Sequence, residues 1–165
     1  MVTQRPPAKP RGALKWGFNL PIALYRARLG WLLGHRFLLL TSRGRKSGLP
    51  RRTVLEVVRF DPVTRESAVL SAYGERADWY QNIAASPPIE VQTGSSRYIP
   101  RYRLMASDER LAALRIYARR YRRAFRSVMR FLGYAYDGTE AGLRALADSV
   151  LMVAFRPRED PEPGT

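Results

Sequence analysis

The residues best suited to chemistry lie in one run, Arg43-Gly44-Arg45-Lys46-Ser47-Gly48-Leu49-Pro50-Arg51-Arg52, between two apolar segments. Five of these ten are basic, two are glycine and one carries a hydroxyl. Glycine can take positive φ and bring backbone N–H groups close to a ligand, while Arg45, Lys46 and Arg51 supply charge and Ser47 a donor. The combination predicts a loop that grips an anion, with phosphate the natural choice. It lacks the order of a Walker loop and of a dinucleotide-binding glycine fingerprint. An exposed basic turn would use the same residue types, so the loop alone does not decide between the two.

Other chemistries are bounded by what the chain lacks. There is no cysteine, which excludes disulfides, thiolate metal sites and cysteine nucleophiles. His35 is the single histidine, so a multi-imidazole metal site is excluded too, and its place just before a strand suits a structural hydrogen bond better than acid–base catalysis. No metal site is expected. A bound cofactor could supply the reactivity that the side chains do not.

Charge narrows the partners. The net charge is +15; residues 1–52 hold twelve Arg or Lys and no acid, and residues 101–130 hold ten Arg against Asp108 and Glu109. Such surfaces attract nucleic acid, anionic lipid, or a cofactor bearing phosphate and carboxylates.

The elements that must position the loop follow from periodicity. Phe37–Ser42 leads into it as a strand, and the alternation of Thr53, Leu55 and Val57 with Val54, Glu56 and Val58 leads out as a second. Asp61-Pro62 turns the chain into a third strand, Ser67–Ala72, which runs into Tyr73-Gly74. Asp78 is expected to cap a short helix, Trp79–Ala85, stopped by Ser86-Pro87-Pro88. Ile89–Thr93 and Arg97–Ile99 form a hairpin about Gly94-Ser95-Ser96, with Pro100 marking an edge or bulge. Ser107-Asp108-Glu109 predicts a helix start, and Leu111, Leu114, Ala118, Tyr121, Phe125 and Val128 give that helix one apolar stripe, its arginines forming a solvated opposite face. A short helix, Leu143–Ala147, precedes a last strand, Val150–Phe155.

The result is an α+β, mainly β domain: a barrel of about six antiparallel strands with flanking helices. Residues 1–15 are expected as a flexible basic tail, 16–34 as an amphipathic helical segment, 35–157 as the barrel domain and 158–165 as an acidic tail. Without an apolar leader or an 18-residue apolar run, a cytoplasmic protein is expected, and residues 15–33 either pack as a helix on the protein's own barrel, the reading favoured, or lie on the inner face of the plasma membrane. If the second and third strands pair, the basic loop and the segment Ser71–Gly74 with Asp78–Asn82 meet at one end of the sheet, a wall suited to a flat phosphorylated cofactor.

These motifs, Leu39–Thr53, Asp78–Ile83 with Ala85-Ser86-Pro87, and Val153-Ala154-Phe155-Arg156-Pro157, resemble the deazaflavin-dependent nitroreductase family, split β-barrel oxidoreductases of actinobacteria and relatives. The resemblance implies coenzyme F-420, an 8-hydroxy-5-deazaflavin whose tail carries a phosphodiester and glutamates. It also implies hydride transfer to a quinone, a nitro compound or another unsaturated acceptor. By position, Arg45, Lys46 and Arg51 would hold the phosphate with Ser47 and the Gly48 backbone, Ser71, Ala72, Tyr73 and Gly74 would line the cofactor, and Trp79 and Asn82 would neighbour it. Family members with reductase activity often carry Pro and an aromatic where this chain has Val54 and Glu56. Their acceptor-facing tyrosines have as counterparts only the candidates Tyr117, Tyr121, Tyr134 and Tyr136. Small barrels of this kind often pair, so a homodimer is a candidate state. FMN on the same barrel, cofactor binding without turnover and, behind both, nucleic-acid binding are the alternatives.

Overall fold

The computed structural model describes residues 34–158 apart from 132 and 135. The basic tail of residues 1–15, the amphipathic segment up to residue 33 and the acidic tail from residue 159 lie outside the described residues.

Seven antiparallel strands form one sheet: β1 (Phe37–Arg43), β2 (Pro50–Asp61), β3 (Glu66–Ser71), β4 (Glu90–Thr93), β5 (Ser96–Tyr98), β6 (Pro100–Leu104) and β7 (Leu151–Pro157). Their spatial order is β5-β4-β1-β2-β3-β7-β6. The two edges of this sheet, β5 and β6, are consecutive in the chain and separated only by Ile99. One continuous run thus pairs β4 at one end and β7 at the other, bringing the sheet close to a closed barrel. β6 is the strand beyond the expected six. Its alternation is masked because Arg101 and Arg103 flank the half-buried Tyr102, and Pro100, which has no N–H to donate, begins it.

Strand pairing sorts the side chains into two cores. Leu38, Leu40, Leu55, Val57, Val69, Val91, Val153 and Phe155 fill the barrel, joined by Trp79 and Ile83. On the other face Ala68, Met152 and Ala154 meet the helices through Leu111, Leu114, Tyr117, Phe125, Met129, Leu143 and Leu146. β7 is buried on both faces, which explains why Val150–Phe155 is an unbroken apolar run rather than an alternating one.

Among the described residues four α-helices accompany the sheet: α1 (Asp78–Ala85), α2 (Ser107–Arg120), α3 (Arg122–Phe131) and α4 (Glu140–Ser149). The single long helix expected after Ser107 is broken at Tyr121, whose φ of −128° and ψ of 49° leave the helical region. The expected caps move by one residue. Ala106 is the N-cap of α2, its N–H donating to Glu109 Oε2 at 2.9 Å, while Ser107 donates its hydroxyl to Asp148. Asp78 is the first residue of α1 and does not cap it. Its carboxylate is drawn instead to an arginine of the basic loop.

His35 stacks on Phe60 with ring centroids 3.7 Å apart and sits 3.4 Å from the Thr93 hydroxyl through Nδ1. Burial lowers its pKa below the ordinary value, consistent with a neutral, packed imidazole.

Candidate cofactor site at the basic loop

β1 and β2 pair through Ser42 opposite Arg51 and Arg43 opposite Pro50, leaving residues 44–49 as the loop. The loop is closed from within. The Gly44 N–H donates to Leu49 O at 2.8 Å, and the Gly48 N–H to Gly44 O at 2.7 Å. Gly48 takes φ of 68°. Gly44 does not need positive φ; it is required because a Cβ there would lie 2.8 Å from Ser47 Oγ and 3.2 Å from Leu49 O. The Gly48 N–H is therefore committed inside the loop. Among the described residues no acceptor faces the N–H groups of Lys46 and Ser47, which leaves those two as backbone donors for an anion.

Helix α1 holds the loop from the other side. Asn82, 5% exposed, presents Oδ1 to both the Arg45 N–H and Arg45 Nη1, each at 3.1 Å. Arg45 Nη2 reaches Asp78 Oδ1 at 2.9 Å. The meeting of basic loop and aromatic helix expected from strand pairing is thus made through Arg45, across 37 residues of chain.

Between loop and helix lies a cleft of about 390 Å³. Arg45, Lys46, Ser47, Arg51, Trp79 and Asn82 all line it, as expected from the sequence, and so do Arg52, Thr53 and Asp78, to which no binding role had been assigned. Arg51 and Arg52 are consecutive in an exposed strand end, and both line the cleft. Trp79 is 8% exposed and packs against Phe155, which makes its indole a floor rather than a free stacking face. Asp78, the one acid at the cleft, is paired to Arg45, whereas Lys46, Arg51 and Arg52 have no acidic partner among the described residues.

Ser71, Ala72, Tyr73 and Gly74 do not line this cleft. The Ser71 hydroxyl donates to Gly74 O at 2.7 Å and shapes the turn after β3. Ala72 packs toward the helices, and Tyr73 is exposed.

The four tyrosines separate clearly. Tyr117 is buried and donates its hydroxyl to Glu56 Oε1 at 2.7 Å. Burial, and then the Glu56 carboxylate, push its pKa above the ordinary tyrosine value. Arg36 sits 3.7 Å from the same Glu56 oxygen and lies over the Tyr121 ring at 4.9 Å. Tyr134 packs against the helical core, and burial raises its pKa. Tyr136 stands edge-on to Phe125 with centroids 5.1 Å apart. Glu56 thus serves the interface between barrel and helices.

A near-closed antiparallel barrel with a cationic loop clamped to a neighbouring helix is a split β-barrel with a basic cleft at one end. The family model for the F-420H(2)-dependent quinone reductase matches residues 23–128. The chain belongs to that family, and is accordingly an oxidoreductase that uses coenzyme F-420. A solved F-420-H2 dependent reductase, FDR-A, is 19% identical over 74% of this chain and 96% of its own, with a TM-score of 0.50, a likeness of fold. A conserved hypothetical protein from Mycobacterium tuberculosis is 13% identical over 95% of this chain and 86% of its own, with a TM-score of 0.48. No curated protein matches.

The donors at the cleft suit this cofactor. A phosphodiester and several carboxylates need multiple cations with few competing acids, and three cations stand there without an acidic partner among the described residues.

Proposed function

We propose that the protein reduces a quinone with F-420H(2), holding the cofactor's phosphate in the cleft between the basic loop and helix α1. The observation that carries this reading is the double acceptance by Asn82 Oδ1 from Arg45, which fixes the loop against the helix and leaves Lys46, Arg51 and Arg52 free to face an anion. When bound, reduced F-420 supplies a hydride from its ring carbon. The chain's own residues bind and orient. Lys46 and Arg51 neutralise the phosphate, the Lys46 and Ser47 N–H groups and the Ser47 hydroxyl donate to its oxygens, and Asn82 with Trp79 sets the shape of the floor. Ser71–Gly74 lie outside this cleft and are proposed to contact a different part of the cofactor, with Ser71 and Gly74 fixing the turn and Tyr73 offering an exposed ring.

The test is a fluorescence titration with oxidised F-420, with FMN in parallel. Selective binding that weakens at least about ten-fold in Lys46→Ala and Arg51→Ala supports the assignment. Unchanged affinity in both variants overturns it, and preference for FMN would move the reading to a flavin on the same barrel. Quinone and nitro acceptors are then compared by their turnover with the reduced complex. Two finer elements of the proposal are pairing of two copies, read by sedimentation, and contact of residues 15–33 with anionic membrane, read by liposome binding of the chain with and without them.

A further inference from the structure

The helical layer carries a second cationic cleft, of about 400 Å³, that shares no residue with the first. Arg115, Arg119, Arg122 and Arg126 line it. Arg115 and Arg119 stand one turn apart on α2, Arg122 and Arg126 one turn apart on α3, and both pairs line the same cleft on either side of the break at Tyr121. Arg115 is paired with Glu140, the one acid in the cleft. Arg119 also acts on Glu140 through its charge, and Arg119, Arg122 and Arg126 form no ion pair of their own among the described residues. Like charges at these spacings repel, so the arrangement is unfavourable until something anionic enters.

The base of the cleft is closed by the core: Phe125 is 1% exposed beneath it, and the half-buried Tyr136 stands edge-on to that ring. Gly138 forms part of the far wall at φ of 90°, and a Cβ there would lie 3.8 Å from Arg126 Nη2, so the guanidinium is laid close over that backbone. The arginine-rich stretch, residues 101–130, contains no lysine. Guanidinium forks bind phosphate oxygens in pairs, which a lysine ammonium does not.

We infer that this cleft is a second anion site, taking a phosphate- or diphosphate-bearing molecule of at least two negative charges held by Arg119, Arg122 and Arg126. Its concavity and size suit a small molecule or a single lipid headgroup rather than a nucleic-acid duplex.

The experiment uses the full chain with F-420 present in excess, so that the loop cleft is filled, and inorganic pyrophosphate as calorimetric titrant. A second arm measures sedimentation with phosphatidylcholine vesicles with and without phosphatidate. Arg119→Ala/Arg122→Ala is compared with Arg123→Ala/Arg130→Ala, a pair of exposed arginines outside the cleft with the same loss of charge. Weakening of at least about ten-fold in the cleft pair alone, only partly restored by Arg119→Lys/Arg122→Lys, supports the site. If pyrophosphate shows the effect, the source is a free phosphate; if only the phosphatidate vesicles do, it is a headgroup. Equal losses in the two alanine pairs, or no binding in either arm at roughly 1 mM, overturn the inference. Failure of F-420 to bind would count against the loop assignment while the comparison between the two pairs still reads the second cleft.

Discussion

Tyr117 Oη lies 2.7 Å from Glu56 Oε1, a hydrogen bond that joins the last turn of α2 to the second strand across 61 residues. The tyrosine is buried and the carboxylate also meets Arg36, so the bond lies where a lost partner is not readily replaced by water. Tyr117→Phe should therefore lower stability by about 1–3 kcal/mol. Urea denaturation measures it, and Glu56→Gln, which keeps an acceptor, should cost less.

Asn82 is the hinge of the cofactor cleft. Asn82→Ala removes the acceptor for two Arg45 donors and should weaken F-420 binding by roughly ten-fold or more. Asn82→Asp keeps the acceptor and adds a negative charge beside the phosphate. Fluorescence titration should find affinity reduced in both, while thermal denaturation should separate them, with the aspartate variant closer to the wild type.

The two loop glycines should fail in different ways. Gly44→Ala would drive its new methyl against Ser47 Oγ and Leu49 O, disturbing the groups that face the anion, so cofactor affinity should fall. Gly48→Ala meets nothing within 4 Å but must hold φ of 68°, so it should cost about 1 kcal/mol of stability through backbone strain. Measuring affinity and melting temperature on both variants distinguishes the two effects.

Acid stability should reflect Glu109. Hydrogen bonds from Arg103, and then from the Ala106 N–H, lower its pKa from 4.5 to about 2. Below pH 4.5 the unfolded chain takes up the proton more readily than the folded one, so this contribution is whole above 4.5 and is lost as the pH falls toward 2. Glu109→Gln should flatten the decline of stability across that window in denaturation curves recorded against pH.

Much of the barrel was legible because its determinants are local. The strand, loop and strand around Arg45, the turn at Asp61-Pro62 and the helix carrying Trp79 depend on alternation, breakers and glycines within a few residues of one another. β6 was hidden because Pro100 and the exposed Arg101 and Arg103 blur its period, and its place is set by β7, about fifty residues later. The break at Tyr121 leaves no mark in the apolar stripe, which continues across it. At the site, charge and motif order pointed to Arg45, Lys46, Ser47 and Arg51. The partner of Glu56 could not be found that way, since four tyrosines were equally placed and only the packing of α2 on β2 selects Tyr117. Nor did sequence show that Asp78 would serve Arg45 instead of capping its own helix.

The position of β7 between β3 and β6 bears on how the chain is made. β1, β2, β4 and helix α1, with the cleft they frame, are complete before residue 94, whereas β7 begins at Leu151. During synthesis the phosphate-gripping half can assemble while two strand borders still wait for their shared neighbour. Unpaired borders of that kind recruit other chains. A ribosome that stalls after β6 would therefore release a product able to grip an anion and prone to aggregate, and early arrival of the cofactor would steady one half without sealing the other.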